Sequence, residues 1–154
     1  PVTEAITGID LIKEQIKIAA TNQCSIDQTA IHSNGHSMEF RINAEDPDRE
    51  FMPMPGTIEL FLPPGGPGIR VDSHCYPGYK VPPNYDSLLA KLIVWAPTRK
   101  ECIERSKRAL REFIIDGVPT TIPFHLKVLD HPEFNAGNVT TKFIENYFLE
   151  LVHV

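Results

Sequence analysis

Long apolar runs, paired cysteines and an excess of basic charge are all missing from this chain of 154 residues. No run approaches the length of about 20 apolar residues that spans a bilayer. The amino terminus opens on Pro1-Val2-Thr3-Glu4, without the basic, apolar and small-residue series of a secretory signal. The chain therefore reads as soluble and not secreted. Its three cysteines, Cys24, Cys75 and Cys102, are odd in number and form no CxxC pair. That argues against a disulfide framework or a zinc ribbon and fits a reducing compartment. A formal charge of -5 offers nucleic acid no general attraction. Positive charge gathers only at Arg99, Lys100, Arg105, Lys107, Arg108 and Arg111; without interleaved aromatics this reads as a solvated helix face. The glycine-rich stretch Pro63 to Gly68 lacks the GK[ST] ending of a phosphate loop and is read as a hairpin loop. His32 and His36 have HxxxH spacing, but Asn34-Gly35 between them breaks the helix that would align two metal ligands, so no metal site is expected. Ser87 has no nucleophile elbow around it, which rejects a hydrolase triad.

What is present is enough apolar material for one core: 42% of the residues are hydrophobic. Ile9, Ile12, Ile16 and Ala19 recur at helical spacing, predicting a helix over Asp10 to Ala20 that ends near Asn22. Asn34-Gly35 predicts a tight hairpin between Ala30-Ile31-His32 and Ser37 to Phe40. Thr57 to Leu62 alternates as a strand, and Ile69 to Ser73 is expected to return beside it across the Pro63 to Gly68 turn. Leu88 to Trp95 reads as a buried strand, although periodicity alone also allows the start of a helix. Thr98 and Glu101 form a capping box that opens a helix carrying Cys102, Ile103, Ser106, Ala109, Leu110 and Phe113 on one stripe. A strand over Ile114 to Val118, a short helix over Thr121 to Leu129 and a threonine-capped helix over Thr141 to Phe148 complete the pattern. Helices and hairpins without strict strand-helix alternation predict an α+β fold, a mostly antiparallel sheet with flanking helices.

The stretch from His36 to Glu45 holds the strongest functional signal. With period two, His36, Met38, Phe40, Ile42 and Ala44 share one face, while Ser37, Glu39, Arg41, Asn43 and Glu45 share the other. Spacing alone supports nothing beyond a half-buried strand with a solvated polar side. The residues themselves go further. Arg41-Ile42-Asn43-Ala44-Glu45-Asp46-Pro47 resembles the RINAEDP signature of biotin carboxylases, which carboxylate biotin with ATP and bicarbonate. Pro1 to Glu4, Thr7-Gly8, Pro64-Gly65-Gly66, Arg70, Tyr85-Asp86-Ser87, Lys91, Asp116-Gly117-Val118, Phe134 and Gly137 continue the resemblance in the family's order. Among its members the chain is most similar to the free-standing subunit of bacterial or plastid acetyl-CoA carboxylase. Opening on Pro1 without an initiator methionine fits an excised or processed piece.

The resemblance implies that residues 1–24 are the helical tail of a preceding ATP-grasp region and 25–154 the biotin carboxylase C-terminal domain. It implies a catalytic arginine at Arg41, whose guanidinium steadies the biotin enolate after phosphate removes the ureido proton. Arg41 and Asp86 would face biotin and bicarbonate, with Glu39 and Asn43 supporting; ordinary strand polarity and a turn aspartate remain open alternatives. Thr141 and Lys142 would lie at the nucleotide edge, although many members have isoleucine and histidine there. Pro67 and Arg70 would lie at the dimer surface, where many members have an aromatic residue in place of Pro67. The implied cofactors are biotin on a carrier protein, with ATP and Mg2+ for the full-length enzyme and none held by this piece alone. The implied partners are the ATP-grasp portion, a second copy, the biotin carboxyl carrier protein and carboxyltransferase subunits, in cytoplasm or plastid stroma. By itself the piece should be inactive. A noncatalytic dimerisation or assembly module, or the same domain from a pyruvate or other acyl-CoA carboxylase, stands as the alternative.

Overall fold

In a computed structural model that describes residues 1–149, the chain runs through two helices, α1 (Val2–Thr7) and α2 (Leu11–Thr21), before its first strand, β1 (His36–Asn43). Short strands follow: β2 (Glu45–Asp46), β3 (Met52–Pro53), β4 (Gly56–Thr57), β5 (Leu60–Leu62), β6 (Ile69–Ser73) and β7 (Lys80–Val81). The long β8 (Leu88–Ala96) leads into α3 (Arg99–Glu112), β9 (Ile114–Asp116), α4 (Ile122–Asp130) and α5 (Pro132–Ala136). A π-helical turn, Glu145–Leu149, ends the described chain; the last residues of the expected domain, 150–154, lie outside it. All strand pairings are antiparallel, as the α+β reading expects.

The main sheet has the order β1-β8-β6. β8 lies at its centre, one face wholly apolar and the other apolar except at Lys91. Ala90, Leu92, Val94 and Ala96 join Cys102, Ile103, Ala109 and Leu110 of α3 in the larger core. Leu89 instead meets Ala44, Ile58, Val81 and Val118 in a smaller one. α3 starts where its sequence says. The Thr98 hydroxyl accepts the Glu101 N–H at 3.3 Å, and the Glu101 carboxylate accepts the Thr98 N–H at 3.0 Å. α2 likewise begins at its Asp10 cap and ends on a left-handed Asn22.

Three strand expectations are corrected. Asn34-Gly35 does not close a hairpin: residues 28–30 form a 3-10 turn, and β1 pairs with β8, more than fifty residues on. Gly35 is still required there, since its φ is +73° and a Cβ would strike the Ala96 carbonyl and the Trp95 ring. The Trp95 indole N–H donates to the Asn34 carbonyl at 2.8 Å, so this bend docks on the end of β8. Thr57 to Leu62 is broken at the buried Ile58, and its halves pair separately with β7 and β9. β6 returns to β8 rather than to β5. Turn chemistry signals a reversal of the chain, but it does not choose the partner strand.

Two residues, Glu50 and Phe51, have left-handed φ values of 53° and 57° at the tip between β2 and β3. Such geometry costs about 1 kcal/mol per non-glycine residue. Phe51 offsets part of it by stacking edge-on against Phe124 of α4, with ring centres 4.8 Å apart.

Candidate functional site

Alternation places Phe40 and Ile42 in the core and turns Arg41 outward, with about half of its side chain in water. The register sets Arg41 opposite Lys91 and Lys91 opposite Asp72, so all three share one sheet face. Glu39, also on that face, comes within 3.9 Å of the Lys91 ammonium. Arg70 lies there too. It donates to Asp72 at 2.8 Å and reaches Glu4 of α1 at 3.2 Å. The bond from Arg70 holds the Asp72 carboxyl below its ordinary range and raises the guanidinium in return. α1 covers part of this face by packing on β1 and β8.

At the other end of the face, Arg41 Nη2 lies 3.6 Å from Asp86 Oδ2. Asp86 owes its place to a turn: its Oδ1 accepts the Leu88 N–H at 2.8 Å as the chain enters β8. The same loop is tied a second time, to the residues that follow β1. Ser87 Oγ donates to Glu45 Oε1 at 2.5 Å, the Ser87 carbonyl accepts the Ala44 N–H at 2.8 Å, and Asn43 Nδ2 donates to the same Glu45 oxygen at 2.9 Å. Glu45 is thus the anchor of the Asp86 loop, a role its position in the strand pattern does not disclose. Asn43 Oδ1 is buried without a hydrogen-bond partner. Beside Asp86 opens a cavity of about 460 Å³ between His74, Tyr79, Tyr85 and Leu88.

Behind Arg41, α4 grips the backbone. Thr121 Oγ donates to the Arg41 carbonyl at 3.0 Å, and His125 Nε2–H donates to the same oxygen at 3.0 Å. A carbonyl can only accept, so this contact requires the proton on Nε2. Burial pushes the His125 imidazole below its ordinary pKa despite that bond, which keeps the ring neutral as a donor. Neither residue stood out in the sequence. The available signal was their i, i+4 spacing on one face of the predicted helix.

The remaining expected residues lie apart from this cluster of contacts. Thr141 and Lys142 are exposed at the start of the last turn, where the Lys142 N–H donates to Thr140 Oγ1 at 3.3 Å. Pro67 is exposed in the loop before β6. Among the described residues no group of three or more His, Cys, Asp or Glu side chains could hold a metal ion, and no helix is long and apolar enough to cross a membrane. The basic side chains of α3 are largely engaged. Lys107 pairs with Asp130 at 2.9 Å, Arg108 with Glu112 at 2.7 Å, and Arg99 and Arg105 donate to the Phe134 and Trp95 carbonyls.

With this geometry in view, the family model described as biotin carboxylase C-terminal domain matches residues 39–146. Biotin carboxylase 1 of Bacillus subtilis is 56% identical over 147 residues, which cover 96% of this chain and 33% of that protein. The chloroplastic biotin carboxylase of Arabidopsis thaliana is 56% identical over 151 residues, 98% of this chain and 28% of that protein. The biotin carboxylase domain dimer of Hydrogenobacter thermophilus 2-oxoglutarate carboxylase, solved with MgADP, ADP and bicarbonate, superposes with a TM-score of 0.92 at 48% identity. That likeness covers 96% of this chain and 32% of the solved one. The chain spans about a third of the length of the relatives it matches.

Proposed function

The chain belongs to the biotin carboxylase C-terminal domain family, and from that premise we propose that, in a full-length protein, it completes the biotin side of an ATP-dependent biotin carboxylase. The observation that carries this reading is the outward guanidinium of Arg41, set 3.6 Å from Asp86 near the end of β1. When the ureido nitrogen of biotin gives up its proton to phosphate, the electron pair moves onto the ureido oxygen. Arg41 offers that oxygen fixed N–H donors and a charge that persists at any working pH. Asp86 limits where the guanidinium points, while Glu39 and Asn43 share its strand face.

The magnesium ions and most of the nucleotide would be held by the preceding ATP-grasp portion, as the family resemblance implies. Thr141 and Lys142 would meet only the nucleotide's edge. Residues 1–24 would belong to that preceding portion, so the packing of α1 on β1 and β8 would form part of the seam between the two. Pro67 and Arg70 would face a second copy. The carboxylated biotin would ride on a carrier protein to carboxyltransferase subunits, in the first half-reaction of acetyl-CoA carboxylase in cytoplasm or plastid stroma. The final acceptor is not encoded in this site, and the Hydrogenobacter likeness shows that a 2-oxoglutarate carboxylase shares this domain's fold.

The test is Arg41→Ala in the full-length protein. Biotin carboxylation should collapse while bicarbonate-dependent ATP cleavage continues. Persistence of both activities with a change only in oligomer size would replace this reading with an assembly role.

A further inference from the structure

β1 lies at the edge of the main sheet, where alternate backbone groups have no neighbouring strand. At Arg41 and Asn43 the start of α4 takes that neighbour's place. The buried Thr121 accepts the Asn43 N–H with its hydroxyl oxygen at 3.1 Å and donates the hydroxyl proton to the Arg41 carbonyl at 3.0 Å. Its own N–H donates to the Asn43 carbonyl at 3.2 Å. One turn later His125 donates to the Arg41 carbonyl at 3.0 Å, its ring held edge-on to Phe40 with centres 5.4 Å apart. Both lone pairs of the Arg41 carbonyl are therefore used, and a helix does the work of a fourth strand.

We infer that Thr121 and His125 are positioning residues that aim the Arg41 guanidinium by fixing the backbone from which it springs. This rests on the reading of Arg41 given above. The side chain is half-exposed and its ion pair with Asp86 is long, so Asp86 guides the guanidinium only loosely and its aim depends on the backbone from which it starts. The backbone grip is firm because α4 is itself braced. Phe124 stacks on Phe51, and Asp130 pairs with Lys107 of α3 at 2.9 Å. A small shift of α4 would swing the guanidinium at the end of its long side chain, and a misplacement of about 1 Å can cost on the order of a hundredfold in rate.

The experiment uses the full-length protein and pairs each disruptive variant with a conservative one: Thr121→Val with Thr121→Ser, and His125→Leu with His125→Gln, whose amide can still donate. Biotin carboxylation and bicarbonate-dependent ATP cleavage are measured separately. Thr121→Val and His125→Leu should lower kcat/KM for biotin by on the order of tenfold to a hundredfold. ATP cleavage should stay at the wild-type rate, and Ser and Gln should restore most of the loss. Equal loss of both activities, or an unchanged kcat/KM for biotin, overturns the inference. If Thr121→Val does not fold, the His125 pair decides by the same criteria. Arg41→Ala, run alongside, separates the two claims. If it retains carboxylation, the reading of Arg41 fails and the inference with it; if it loses carboxylation while Thr121 and His125 tolerate replacement, only the positioning role is lost.

Discussion

Arg41 Nη2 and Asp86 Oδ2 stand 3.6 Å apart, and both side chains leave half or more of their surface to water, 51% and 67%. Solvent screens such a pair, so it contributes less than about 1 kcal/mol to stability. Asp86→Asn is expected to leave the unfolding midpoint almost unchanged while weakening biotin carboxylation, because the guanidinium loses a guide and the fold loses little. Urea unfolding of the variant, set beside its biotin kinetics, checks both halves.

Glu45 serves a different purpose. One of its oxygens accepts from both Ser87 and Asn43, linking β1 to the loop that carries Asp86. Glu45→Ala strands two donors and should cost about 1 to 3 kcal/mol. Glu45→Gln, which keeps an acceptor, should cost less. KM for biotin should rise in the same order, so stability and KM measured across the two variants test the loop's attachment.

His125 predicts a pH dependence. Burial lowers its pKa in the fold, so on acidification the unfolded chain takes up a proton first. Stability from the neutral ring is fully present above the unfolded value of about 6.5. It falls as pH drops through that value towards the lower folded one, and it flattens below. His125→Gln should remove this component. Urea unfolding from pH 7.5 down to pH 5, on wild type and variant, would show two parallel curves if the ring is not responsible.

Leu92 is fully buried on the central strand, and Thr98 caps α3 from the surface. Leu92→Ala should cost about 2 to 5 kcal/mol, whereas Thr98→Ala should cost about 1 kcal/mol. The ratio between them, read from chemical denaturation, checks that β8 is the centre of the core.

Much of the local structure was legible in the order of residues. Thr98 and Glu101 announce the start of α3, Asp10 and Asn22 bracket α2, and the alternation through Arg41 tells which side chains turn outward. Each is a contact between residues a few positions apart, or a period repeated along one element. The seven residues beginning at Arg41 also pointed to the family. Asn34-Gly35 shows where that legibility ends: the chain bends at Gly35 without closing a hairpin, and β1 crosses to β8 for its partner.

The sequence by itself thus determined where α2 and α3 begin, which face of β1 is apolar and which arginine to suspect, because those properties reside in neighbouring residues. Only the tertiary structure decided that Asp86 meets Arg41, that Glu45 anchors its loop, and that Thr121 and His125 hold the Arg41 carbonyl across 80 and 84 residues of chain. Such contacts depend on strand register and helix placement, and those follow from how the whole core packs around β8.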